Sequence, residues 1–387
     1  MTTTFLQSEV QDPFQLYEEI LSDNPVYWDD KNQLWAIYSY VDCKAILDNP
    51  SAYIPIANSN NDVGLNKSAY LIYGQLARLS NGLGHEIARE TALFLFGKMK
   101  TIPISVILEN LLQSNNDKGA MDWVDSVCKK LPNKVVLESF GFNAGDAEYI
   151  SNHMGQLVKI MLPNKTPEQV LIVNEISEKI YGITEKHLIQ TGIFEQEMKA
   201  LSEKYQIDRG TIFSFAVSNL IGLFIQSYDA GRGVLSNSLL QILNQNNRVG
   251  AGLLDKKQIE AAVVETLRFD PPIHNTRRVA TEDILLNDNL IKKGQSMFVV
   301  LAAANRDPEK FDNANVFNVD RPNNSQHLAF GSGGHECLAK YFSIHLAVET
   351  LSYFFGKFSN SKLIDVNIKY EPMINARLPK EILISLS

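Results

Sequence analysis

Phe330-Gly331-Ser332-Gly333-Gly334-His335-Glu336-Cys337-Leu338-Ala339 decides how this chain of 387 residues is read. One cysteine sits behind a glycine-rich turn and ahead of an apolar run, residues 338–355, with the pattern of a helix. Backbone N–H groups at a helix start, together with the helix dipole, favour a thiolate over a thiol. A thiolate held this way suits a soft or intermediate metal ion, haem iron foremost. The glycines let the backbone pass close to a flat ligand. The competing reading is a structural cysteine buried at a helix start.

Further stretches belong with this one. Glu265-Thr266-Leu267-Arg268 places two opposite charges three residues apart, on one helix face, where they can pair. Such a pair on a surface contributes under ~1 kcal/mol, so the spacing alone says little. Pro271 and Pro272 stop that helix. His85 and Arg89, four residues apart, share a helix face and can hydrogen-bond the same anionic edge.

In this order along the chain, the stretches resemble the cytochromes P-450, the haem-thiolate oxygenases. The family's haem loop reads Phe, two residues, Gly, one residue, a basic residue or His, one residue, Cys, one residue, Gly or Ala. Phe330, Gly333, His335, Cys337 and Ala339 fit it, with the frequent bacterial Gly331; alanine is the less common choice at 339. The resemblance runs from about residue 12 to the C-terminus and is strongest over residues 265–346. It implies a mainly α fold with a minor β portion, the P-450 fold, as a single haem-thiolate domain spanning residues 1–387. A long central helix would lie over a buried haem. Cys337 would ligate the iron of haem b (iron protoporphyrin IX). His85, Arg89, Arg278 and His335 would hold the propionates, and Phe330 would shape the haem loop. Glu265, Arg268 and Arg321 would form a buried charge cluster. Leaving one buried charge unpaired costs roughly 3–5 kcal/mol, so the three are expected to act as a unit.

Composition agrees with a globular chain: 45% of residues are hydrophobic and 21% charged, which excludes wholesale disorder. A net charge of −8 argues against a nucleic-acid surface. The first eight residues show neither a signal peptide nor a membrane anchor. Of three cysteines, Cys43 and Cys128 read as core residues in a reducing cytoplasm, the expected compartment.

Residues 26–28 and 34–38 read as a β-hairpin. Residues 52–84 read as a long loop, which in the family covers the substrate pocket. Helices are expected over residues 86–98, 121–131 and 145–159. Two more are expected around Thr191-Gly192, where the family has a lid. Asp208 should cap a long apolar helix reaching about residue 244. Residues 296–300 and 381–385 read as strands.

One departure stands out. The family's long helix carries an acid followed by threonine, which help deliver protons during oxygen activation. The spacing to Glu265 places that pair at Asp229 and Ala230, and residues 212–265 contain no threonine at all. Gln226 and Ser227 replace the usual small residues one turn earlier. They read either as part of an altered relay, with Asp229 as its acid, or as residues bonded locally within their helix. Leu223, Ile273 and His274 are candidate pocket residues, although His274 fits a structural role equally well.

The resemblance implies a monooxygenase acting on a small organic or natural-product substrate. O2 and two electrons would be consumed, the electrons coming from NAD(P)H through a reductase and a ferredoxin. Proton delivery would be assisted by substrate or water. A peroxide-driven or oxidative-coupling variant, or a haem-containing binding or sensing protein without turnover, are the alternatives.

Overall fold

The computed structural model describes residues 3–55, 64–113, 119–162, 164–249 and 255–386, with residues 245–249 described by backbone alone. The chain falls into two compact units. One holds Met1–Tyr53, Ile104–Leu131 and Asp229–Ser387, the other Ile54–Pro103 and Pro132–Tyr228.

The first unit carries all the described strands: β1 (Val26–Asp29), β2 (Leu34–Ile37), β3 (Ala52–Tyr53), β4 (Ala120–Asp122), β5 (Thr276–Ala280), β6 (Ile284–Leu286), β7 (Asn289–Ile291), β8 (Ser296–Val299) and β9 (Leu383–Ser385). Its main sheet has the order β1-β2-β8-β5-β3, with β2 and β8 parallel and the other neighbours antiparallel. β1 and β2 form the expected hairpin. Its turn is closed by Asp29, whose Oδ1 accepts from Lys31 N at 2.9 Å and Asn32 N at 3.0 Å.

Side-chain alternation builds the core on both faces of this sheet. Leu34, Ala36, Phe298 and Val300 pack with Phe14, Tyr17 and Ile20 of helix Pro13–Asp23. Ile37, Met297 and Val299 pack with Cys43, Ile46 and Leu47 of helix Tyr40–Asp48. Helices Arg232–Val249, Lys256–Phe269 and Lys340–Lys357 pack on one another, and Ile104–Gln113 packs on the last.

The second unit is helical throughout its described residues. Its centre is helix Arg209–Gln226, which packs on Lys67–Gly74, Gly82–Gly97, Pro167–Thr191 and Glu195–Tyr205. Asp208 caps it as expected, accepting from Thr211 N at 2.9 Å. Gly192, at φ +60°, ends helix Pro167–Thr191 in the left-handed conformation that glycine adopts without strain.

Three expectations need correction. Residues 52–84 are not one loop: they contain β3, helix Lys67–Gly74 and a short 3-10 turn, Ala77–Leu79, while residues 56–63 lie outside the described residues. Residues 121–131 are not one helix. β4 pairs with β9 across the chain, and a π-turn, Val124–Cys128, follows it. The long apolar helix reaches Val249 but is interrupted by a π-turn at Ser227–Gly231. Residues 209–244 are apolar and long enough to cross a bilayer, yet 56% of their most apolar window is buried within the protein.

Candidate functional site

The cysteine loop belongs to the first unit. Leu328 O accepts from Gly331 N, and Phe330 O accepts from Cys337 N, both at 2.9 Å. Gly333 O accepts from Glu336 N at 3.1 Å. Gly331 and Gly333 sit at φ +72° and +67°, where other residues are strained. At Gly333 a side chain is excluded twice over, because a Cβ would lie 2.7 Å from Leu47 O. Ser332 Oγ donates to Asp48, so the same helix end holds the loop from both sides. The helix behind the loop begins at Lys340, slightly later than the sequence suggests.

Cys337 is exposed on this loop, whereas Cys43 and Cys128 are buried. Burial pushes both of those thiols well above their ordinary value, which suits inert core residues. Phe330 and His335 are half-buried, and the Phe330 ring lies 5.7 Å from that of His327.

The charge cluster is linked to the loop by hydrogen bonds through Asn305. Glu265 binds Arg268 through two bonds, Nη2 to Oε1 at 2.7 Å and Nε to Oε2 at 2.9 Å. Arg321 Nε donates to Glu265 Oε1 at 3.4 Å, and Asn318 N donates to the same oxygen at 3.0 Å. All three charged side chains are buried. Arg268 Nη1 donates to the carbonyls of Asn305 and Ala314 at 2.9 Å, and Arg321 donates to those of Asp312, Asn313 and Val316. Asn305 then extends the network: its Oδ1 accepts from Leu328 N at 2.6 Å, at the root of the cysteine loop.

Arg278, on β5, is 3% exposed. Its Nη1 donates to Thr276 Oγ1 and Arg277 O, while its Nε has no hydrogen-bond partner among the described residues. Burial lowers its pKa to about 10. A guanidinium in that setting needs an anion.

Asp229 pairs with Arg232 at 3.3 Å, and Arg232 pairs with Glu371 at 3.5 Å. Arg232 is 8% exposed and Asp229 31%, so the acid is open to water while its partner is sealed. Sequence reading missed Arg232, although its three-residue spacing from Asp229 was a signal that could have found it. Glu371 carried no sequence signal. Ala230 stands beside Asp229 and is half-buried. Ile273 packs against the sheet core and bridges Ala376. Of the two readings of His274, the structural one fits its full burial in the core. Its Nδ1 meets Tyr17 Oη at 3.1 Å, and its ring lies against those of Phe14 and Tyr17. Burial, with Arg377 and Arg306 nearby, holds it neutral, well below the ordinary histidine value.

In the second unit, His85 and Arg89 are half-buried on helix Gly82–Gly97, and His85 Nδ1 lies 2.8 Å from Ala77 O. Leu223 is half-buried on helix Arg209–Gln226. Gln226 Nε2 donates to Gly222 O at 3.1 Å and Ser227 Oγ to Phe224 O at 2.9 Å, so both side chains bond their own helix.

Solved structures of one class share this architecture. CalO2 superposes with a TM-score of 0.85 at 20% identity, covering 100% of this chain and 99% of that one. P450BioI, solved with an acyl carrier protein carrying hexadec-9Z-enoic acid, gives 0.80 at 21% identity, covering 98% and 100%. A sequence model described as cytochrome P450 matches residues 257–383. Pulcherriminic acid synthase of Bacillus subtilis is 23% identical, over 95% of this chain and 90% of that protein. The biotin biosynthesis cytochrome P450 of the same organism is 24% identical, over 96% of each. The fold and these relatives define a haem-dependent oxidoreductase. Over residues 257–383 the chain matches the cytochrome P450 model, and over nearly its whole length it is similar to bacterial cytochromes P450.

Proposed function

We propose that Cys337 ligates the iron of haem b, and that the protein is a monooxygenase of a small organic or natural-product substrate. The observation that carries this is the sulfur itself: of three thiols only Cys337 is exposed, on a loop tied down by its own backbone. Bound haem would supply oxygen activation, and a thiolate ligand favours O–O cleavage by donating charge. The unpartnered Nε of buried Arg278 supports an anionic neighbour, and a propionate has that charge. His85, Arg89 and His335 would add donors. Phe330 would close the loop. Residues 1–387 would work as one catalytic domain.

The reaction consumes two electrons and two protons for each O2, placing one oxygen in product and one in water. Electrons would come from NAD(P)H through a reductase and a ferredoxin, in the cytoplasm. Protons would pass by Asp229, which is reached by water and held in place by Arg232. Ala230 offers no hydroxyl, and Gln226 and Ser227 already bond their own helix. Water at Asp229, or a polar group of the substrate, would therefore complete the relay. Leu223 and Ile273 remain candidates for the pocket wall. Similarity to pulcherriminic acid synthase supports a natural-product substrate.

Ala230 also favours a second reading: peroxide-driven or coupling chemistry, or ligand sensing without turnover. A ligand library screened for spin-state shifts, followed by turnover with a surrogate ferredoxin and reductase, separates these. Product from a shifting ligand under O2 supports the monooxygenase. Product with peroxide alone supports the peroxide variant. Shifts without product under either condition support sensing.

A further inference from the structure

Ala329 N can only donate, so His327 Nδ1 must accept from it across their 3.2 Å contact. A ring nitrogen that accepts carries no proton, which places the proton of the neutral ring on Nε2. The ring is 6% exposed, so this amide sets its tautomer inside the protein. The amide belongs to the root of the cysteine loop. On one side of it, Leu328 N donates to Asn305 Oδ1 at 2.6 Å. On the other, Gly331 N donates to Leu328 O and Cys337 N to Phe330 O, both at 2.9 Å. The His327 and Phe330 rings lie 5.7 Å apart, and Tyr40 Oη donates to the preceding carbonyl, Gln326 O, at 2.7 Å. Two consecutive amides, of Leu328 and Ala329, are thus held by the buried side chains of Asn305 and His327.

An imidazolium has two donors and no acceptor, so its Nδ1–H would face the Ala329 N–H donor to donor. The surroundings oppose that state. Burial, then Lys340, and to a lesser extent Arg268 keep the ring neutral, with a pKa of about 3. The acids beside these cations pair with them, Glu336 with Lys340 at 3.3 Å and Glu265 with Arg268 at 2.7 Å. Tyr40 and Lys310 bond the adjacent Gln326. When the loop opens, the ring returns to its ordinary value of 6.5 and binds a proton in mild acid. The open loop then holds one proton more than the closed loop. Opening therefore becomes up to about tenfold easier for each pH unit below that value.

We infer that His327 is a positioning residue for Cys337: its neutral ring holds the Ala329 amide, and with it the root of the cysteine loop, so that opening of the loop takes up a proton at this ring. The inference rests on the reading of Cys337 as the haem ligand. It adds that a buried histidine ten positions earlier makes the seat of that ligand sensitive to acid.

The test is the rate at which the ferrous carbon monoxide complex of the holoprotein loses its red-shifted Soret band, followed from about pH 7 to pH 5. It uses wild type, His327→Asn and His327→Phe. Asparagine offers Ala329 N an acceptor that does not titrate, and phenylalanine keeps a ring without an acceptor. At pH 7, His327→Phe should lose the band about three- to tenfold faster than wild type, the worth of one hydrogen bond, and His327→Asn should stay near wild type. On acidification the wild-type rate should climb more steeply than that of either variant, by up to about tenfold per pH unit. Any protonation of the sulfur itself is common to all three proteins and leaves this difference intact. Equal slopes in wild type and His327→Asn, or a wild-type rate for His327→Phe at pH 7, would overturn the inference. A wild type with no red-shifted band would instead remove the ligand reading beneath it. Should the variants fail to fold, nitrogen-15 spectra of the diamagnetic wild-type complex decide. Nδ1 of His327 should be unprotonated and Nε2 protonated at pH 7; the opposite tautomer or an imidazolium would overturn the inference.

Discussion

Asp229 and Ala230 stand side by side in a π-turn, and only the first can carry a proton. Turns of this kind widen a helix and recur at functional sites. As the proposed relay acid, the carboxylate would have to stay oriented, which its pairing with Arg232 favours, and exchange protons, which its exposure permits. Asp229→Asn keeps the shape but loses both the charge and the proton. Product formed per electron consumed under O2 should fall by on the order of 10²-fold. The substrate-induced spectral shift should change little, since a relay step affects chemistry more than binding. Peroxide, which brings both oxygens and the protons, should support nearly unchanged activity. Equal coupling of the two proteins under O2 would take Asp229 out of the mechanism.

The helix ending at Phe269 and the cysteine loop are joined by the Glu265 cluster, through Asn305. Glu265→Gln leaves two guanidinium groups buried without a countercharge. We expect a loss of about 3–5 kcal/mol in denaturant unfolding and a low haem content after purification. Wild-type stability with full haem would mean that the cluster is dispensable. The spacing of Glu265 and Arg268 was legible, because helix geometry fixes which residues meet. Asn305 was not, because it acts through a backbone carbonyl and a contact 23 residues away. The same limit explains residues 121–131. Their apolar pattern suits a helix locally, but β4 is set by pairing with β9, more than 250 residues later.

Over the whole molecule, the mainly helical fold was legible because many landmarks fell in one order, and the chain matches solved structures over nearly all its length. Burial was less legible. The sequence leaves His274 evenly between a pocket and a structural role, and only its contact with Tyr17, 257 positions away, favours the structural one. His274 and His327 are both buried and neutral, the second held at a pKa of about 3, chiefly by burial. Unfolded, each would bind a proton near its ordinary value of 6.5. The unfolded state therefore binds more protons in acid, and stability rises with pH. Their contribution is complete above about 6.5 and is lost as pH falls towards the folded values. The loss should reach about 1.4 kcal/mol per pH unit for each histidine. Denaturant unfolding between pH 7 and 5 should show this slope, reduced in His327→Phe. A slope as steep in that variant as in wild type would rule out its share.

The account converges on one sulfur. Cys337 should be the sole protein ligand to the iron, because Cys43 and Cys128 are sealed in the core. The direct measurement is the absorption spectrum of the reduced carbon monoxide complex, for wild type and Cys337→Ser. Wild type should show the red-shifted Soret band of a thiolate-ligated haem, and Cys337→Ser should lose it. A Cys337→Ser protein that keeps the band would contradict the assignment and the proposed function built on it.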